Sequence, residues 1–325
     1  MSRPSLVMLV VAATLATGVC AQSYPAKPVH LIVPYPAGGV VDGLMRRIGQ
    51  PVSETLGQPV VVDNRPGANT IIALEACARA APDGYTICSS SSDGMSFNPW
   101  LYPKLPYDAE RDFAPITQLV WVNGVIVAGA KVPYGTVAEM VAYARANPGK
   151  VNFASFGVGS TPHFFLEWFR KQANVDIVHV PYKGSAQIIP ALLSGEADAT
   201  FIAMGIVLPM IASGRMKALA VTGAERSPYL PEVSTLAEQK LDPKIQNWFG
   251  VFAPAHTPTA VVERLNAEFL RALGNPKFRE FLRAQAFDAV GNNPREFAQF
   301  LRADRANARA VIARTGIRLE DAGTR

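Results

Sequence analysis

Short apolar runs alternate along this chain with segments whose apolar positions recur at three- and four-residue spacing. Residues 29–33 form the first run, Val-His-Leu-Ile-Val, and predict a strand buried on both faces. Val41, Leu44, Met45, Ile48 and Val52 then fall on one helical face. The same alternation predicts strands at 59–62, 85–88, 151–155, 176–180, 199–202 and 218–221. It predicts helices at 71–80, 136–146, 164–173, 188–193 and 207–212. Such alternation marks an α/β architecture. Residues 98–112, rich in proline and aromatics, read as an irregular wrap. Two β-prone apolar stretches, 116–127 and 248–253, read as crossings between two lobes. Three amphipathic helices at 261–273, 277–284 and 294–312 are expected to pack back on the first lobe. The expected division is residues 22–124 with 250–325 as a discontinuous lobe 1, and 125–249 as lobe 2. Two crossings between lobes make a hinge.

The amino terminus changes the picture of location. Arg3, an apolar core over residues 6–15 and small residues ending at Ala21 match a secretory leader, with cleavage expected after Ala21. That leaves 304 of the 325 residues, enough for two domains. The formal charge of +5 falls to +4 without Arg3, and the chain carries no basic block, so nucleic acid is not an expected partner. Two cysteines remain, Cys77 in a predicted helix and Cys88 in the next predicted strand. In an oxidising compartment they can pair. Sequence does not supply their separation, and two free buried thiols are slightly favoured. No Cys-x-x-Cys, His-x-x-x-His or acidic cluster stands at metal spacing, so neither a metal nor a cofactor is expected.

The candidate chemistry sits in loops after strands. Pro36-Ala37-Gly38-Gly39 joins the first strand to the first helix. Adjacent glycines allow close backbone approach, and the helix behind them offers unpaired N–H groups and a positive dipole end. By itself the loop reads equally well as a plain tight turn. Gly157-Val158-Gly159-Ser160-Thr161-Pro162-His163 is a second such loop, with Thr161 the expected N-cap and Pro162 the first helical residue. Serines 89–92 follow a strand end, where open α/β sheets bind ligands. No Gly-x-Ser-x-Gly nucleophile elbow is present, and no catalytic residue is assigned. His30 and His179 lie within strand runs and are expected to be packed, which leaves His163 as the one histidine placed for ligand contact.

Several segments, in order, carry a resemblance. They are Val-Pro-Tyr-Pro-Ala-Gly-Gly from residue 33 with Asp42, Leu-Gly-Gln-Pro-Val-Val-Val-Asp-Asn-Arg-Pro-Gly-Ala at 56–68, and Ala-Pro-Asp-Gly-Tyr-Thr at 81–86. Val-His-Val-Pro-Tyr-Lys-Gly-Ser at 178–185, Ser-Gly-Arg-Met-Lys-Ala-Leu-Ala-Val-Thr at 213–222 and Trp-Phe-Gly at 248–250 complete the set. The chain resembles the Bug-type periplasmic receptors of tripartite tricarboxylate transporters. The resemblance implies a two-lobed, type II-like periplasmic-binding-protein fold with a hinge and an interlobe ligand cleft. It implies a monomer that takes a small carboxylate and delivers it to membrane permease subunits. A ligand-presenting sensor, or less favourably a periplasmic enzyme, is the alternative.

By position, the resemblance places a ligand carboxylate at Ala37, Gly38 and Gly39, with Tyr35 and Asp42 beside them and Ser90 and Ser91 lining lobe 1. Asp42 would itself repel that carboxylate, so it reads as a first-turn acid that orders waters or accepts from a ligand amine. Lobe 2 contributes Gly159, Ser160, Thr161 and His163, the loop at Tyr182 and Lys183, and Ala203. Many relatives carry an acidic or amide residue where residues 201–204 here are apolar, Phe-Ile-Ala-Met. That departure points to a carboxylate with an apolar or aromatic body.

Overall fold

The computed structural model describes residues 24–316; the expected leader lies outside them. Two sheets organise the chain. The first has six strands, ordered β11-β4-β10-β3-β1-β2. Its parallel trio is β1 (Val29–Val33), β2 (Val60–Asn64) and β3 (Thr86–Ser91). Next to β3, β10 (Asn247–Pro254) runs antiparallel to the trio; β4 (Phe113–Val122) pairs antiparallel with β10, and the short edge strand β11 (Phe287–Ala289) pairs antiparallel with β4. The second sheet has five strands, ordered β7-β6-β8-β5-β9: β5 (Gly124–Gly129), β6 (Asn152–Ser155), β7 (Val178–Pro181), β8 (Ala199–Ala203) and β9 (Met216–Val221). Only Asn123 separates β4 from β5, so the chain passes from one sheet to the other there. It returns through residues 222–246 into β10.

Alternate residues of each strand feed opposite faces, as the two-residue period requires. Leu31 and Val33 enter one core with α1 (Val40–Leu56), α8 (Thr259–Leu273) and α9 (Pro276–Ala284), while Ile32 and Cys88 enter another with α2 (Ile71–Ala78). In the second sheet Phe153 and Phe201 pack with α4 (Val137–Ala146) and α5 (Thr161–Ala173). Ala154 and Ile202 face α6 (Ser185–Ser194) and α7 (Met204–Ala212). Among the described residues no helix is long and apolar enough to cross a membrane.

Three expectations change. Cys77 and Cys88 are bonded, with Cα atoms 6.1 Å apart. Strand parity turns Cys88 toward the face that α2 covers, which the linear spacing did not reveal. Replacing both by alanine is expected to lower stability by about 3 kcal/mol, because a closed loop of this length restricts the unfolded chain; denaturant melts with and without reductant test this. Second, β3 runs on through Ser91, so Ser89, Ser90 and Ser91 lie within the strand and not in a turn after it, and only Ser92 follows its end. Third, α8 and α9 pack on the first sheet as expected, but α10 (Pro294–Thr315) does not stay there. Phe297 and Leu301 join the first-lobe core around Trp248, whereas Ala308, Val311 and Ile312 join the second-lobe core around Phe164. The segment at 98–112 also contains one short helix, α3 (Asn98–Leu101).

Candidate functional site

The loop between β1 and α1 is held by a carboxylate of its own helix. Asp42 is 4% exposed and accepts the Gly38 N–H at 2.9 Å. Arg46 donates to both its oxygens, at 2.9 and 3.0 Å, and Asn64 donates to Oδ1 at 2.9 Å. Burial alone would raise this carboxyl, but the Arg46, Gly38 and Asn64 hydrogen bonds outweigh it and hold Asp42 below the ordinary carboxylate range. Gly38 adopts φ +79°, a conformation that suits glycine. Gly39 is the N-cap, without a side-chain cap. Among the described residues no protein acceptor meets the N–H groups of Val40, Val41 or Asp42. This helix end is therefore open, with Ala37 and Gly38 exposed beside it. Asn64 and Arg46 were not foreseen as its support; the signal was the Asn-Arg-Pro-Gly turn at 64–67, read only as a loop.

Tyr35 lies behind this loop. Its hydroxyl donates to Ser91 Oγ at 2.9 Å and its ring meets Phe249 edge-on. Ser90 and Ser91 are fully buried. Two residues on, Asp93 accepts from the Thr161 hydroxyl at 2.6 Å. Asn69 reaches across in the same region, donating to Gly159 O at 2.9 Å, and the Phe97 and Phe164 rings meet at 4.6 Å. The lobes are thus in direct contact here. They also meet at Gly205, where an added Cβ would lie 2.3 Å from Gln285 O.

The second glycine loop is closed on itself. Gly157 N–H donates to Ser155 Oγ, Gly159 N–H to His163 Nδ1, and Ser160 N–H to Gly157 O. The Ser160 hydroxyl also bonds Gly157 O, at 2.6 Å. Ser160, not Thr161, is the N-cap of α5, and Pro162 is its second residue. Thr161 is displaced from that role because its hydroxyl is committed to Asp93. His163 stacks on His179, centroids 4.4 Å apart, and His179 Nε2 lies 2.6 Å from Ser155 Oγ. Of the two strand histidines, His179 is partly packed in this way; His30 is instead the one exposed residue of β1.

Both stacked histidines are pushed down to about 4, chiefly by burial. The Arg170 charge adds to both, and His163 further lowers His179 while Glu167 opposes. With folded values below the ordinary 6.5, the unfolded chain takes up these protons first. Their contribution is complete above pH 6.5 and is lost as pH falls toward 4. Asp93 runs the other way: burial raises it to about 6, against the Thr161 hydrogen bond, so its charged form gains relief as pH falls below that. Two rings against one carboxylate give a net loss. The melting temperature is expected to fall between pH 7 and pH 4.5, and His163→Gln to flatten that slope in a thermal melt.

The remaining expected residues lie further out. Tyr182 turns its hydroxyl to Glu196 at 2.8 Å, and Lys183 is exposed. Ala203 ends β8, opposite Gly124, and packs against the first-lobe core. Cavities of about 520 and 750 Å³ lie beside residues 99–112 and at the outer end of the second sheet, and none of the expected site residues lines either.

Comparison with known proteins resolves the family. The model of the tripartite tricarboxylate transporter family receptor matches residues 44–317. The chain belongs to this receptor family. Among the receptor's relatives is Protein BugT of Bordetella pertussis, 34% identical over 315 residues, covering 96% of this chain and 97% of that one. The receptor superposes on the periplasmic binding protein BugD with TM-score 0.84 and 30% identity, covering 92% of this chain and all of BugD. It matches an R. palustris protein solved with adipate at TM-score 0.83 and 32% identity, covering 90% of this chain and 98% of that one. The two-lobed periplasmic-binding-protein fold expected from the motifs is the fold of this receptor.

Proposed function

We propose that this chain is an extracytoplasmic receptor that captures a small carboxylate between its lobes and delivers it to a tripartite tricarboxylate-type permease. The observation that carries the reading is the open N-terminus of α1, whose loop is pre-shaped by the buried Asp42. Unpaired N–H groups and a positive dipole end stabilise an anion there without a cationic side chain. The adipate bound by the R. palustris neighbour supports a carboxylate as ligand. The leader places the mature chain, from Gln22, in the periplasm. Lobe 1 is residues 22–124 with 250–325 and lobe 2 is 125–249, with α10 bridging them. Ligand binding pulls an open–closed equilibrium, so the carboxylate contacts the closed form better than the open one. Capture and release require no bond to break, and the chain acts as a receptor rather than an enzyme.

A thermal-shift screen of residues 22–325 tests this with C4 and C6 mono- and dicarboxylates, citrate, acidic amino acids, nicotinate and benzoates. A ligand at a hundredfold excess over its dissociation constant adds about 2.7 kcal/mol of stability, a readily measured shift. Gly38→Val, which forces a branched side chain to a φ of +79°, is expected to abolish the shift while the protein still folds. Absence of any shift across the panel rejects the reading.

A further inference from the structure

The two anion-receptive helix ends expected from the glycine loops are not equivalent. The end of α1 is open. The start of α5 is met from the other lobe by Asp93, which is 8% exposed and accepts from the Thr161 hydroxyl at 2.6 Å. The second loop is fastened in place around this contact. Asn69 donates to Gly159 O at 2.9 Å and to Asn98 Oδ1 at 2.7 Å, while Asn98 returns a bond to Asn69 O. The N–H groups of Gly157, Gly159 and Ser160 already have acceptors within the loop. Among the described residues Asp93 forms no ion pair, so no fixed cation offsets its charge.

We propose that Asp93 is a carboxylate supplied by the chain itself at the second-lobe position that a ligand's second carboxylate would need, so that this receptor selects ligands with one carboxylate and an uncharged far end. The inference rests on the carboxylate-receptor reading and narrows its substrate class. A ligand monocarboxylate engages the end of α1 and meets no opposing charge. A dicarboxylate of the same length brings its second charge against Asp93, in a buried setting where like charges interact strongly. It also finds the Thr161 hydroxyl and the loop N–H groups of Gly157, Gly159 and Ser160 already engaged. An uncharged far end suits the apolar stretch at residues 201–204.

The test is a calorimetric comparison of hexanoate with adipate, equal in carbon number and differing by one carboxylate, on residues 22–325 at pH 8. Asp93 is ionised there, well above the value of about 6 to which burial raises it. The mature wild-type receptor is expected to bind hexanoate at least tenfold more tightly than adipate. Asp93→Asn keeps an oxygen for the Thr161 hydroxyl and removes the charge, and is expected to reduce that ratio at least tenfold. A purely structural role for Asp93 would weaken both acids together and leave the ratio unchanged, which overturns the proposal. The wild-type comparison stands without any variant: adipate bound as tightly as hexanoate, or more tightly, overturns the inference and leaves the carboxylate reading intact. Binding of neither acid, with no shift from the wider panel, overturns both.

Discussion

Trp248→Ala is expected to cost about 3–5 kcal/mol, the range for truncating a fully buried large aromatic. Trp248 is wholly buried in β10, with Phe297 and Phe300 ring centroids each 5.6 Å away. Its indole N–H donates to Asp304 Oδ2 at 2.9 Å, and Ser96 donates to the same oxygen at 2.5 Å. Burial holds Asp304 above the ordinary carboxylate range in spite of these two bonds, so the charged form depends on them. Truncation therefore opens a cavity and withdraws one donor from a buried acid. Trp248→Phe separates the two effects: it keeps most of the volume, and the lost hydrogen bond is worth about 1–3 kcal/mol. Urea melts of both variants measure the difference. Equal stability in wild type and Trp248→Ala would refute the packing argument.

Asp42→Ala reads on binding as well as stability. Arg46 is about half exposed and regains water when its partner is lost. The penalty for breaking a buried pair is therefore discounted, to about 1–3 kcal/mol. The larger consequence is at the loop. Gly38 loses the acceptor for its N–H, and the approach to α1 is no longer pre-shaped. Affinity for the carboxylate found in the ligand screen is expected to fall at least tenfold by calorimetry. Asp42 titrates below the ordinary 3.8, so its contribution is full above that pH and disappears only as pH drops through its folded value. The affinity loss in Asp42→Ala should thus be constant from pH 6 to pH 8.

The first βα unit could be read almost completely along the chain. Strand, paired glycines and helix follow one another within 28 residues, and burial of Val41, Leu44, Met45, Ile48 and Val52 matches their spacing. Local periodicity is sufficient where a unit folds on itself. It failed where partners are distant. Ser89, Ser90 and Ser91 resemble a turn, yet they pair with Val251, Gly250 and Phe249 from a strand more than 150 residues away. The Asp93–Thr161 bond spans 68 residues and exists only when the lobes meet. The three-residue β11 is too short for any period to register. The family motifs marked both glycine loops as receptive, but only the assembled lobes show that one is occupied from within.

The helix α10 sets a mechanical condition on any opening of this receptor. Its 22 residues form a rod of about 33 Å, anchored at one end beside Trp248 and at the other beside Phe164. A rod fixed to both halves acts as a strut. It resists their separation along its length but tolerates rotation about its own axis, so an opening of the lobes would turn like a door along this line rather than part them evenly.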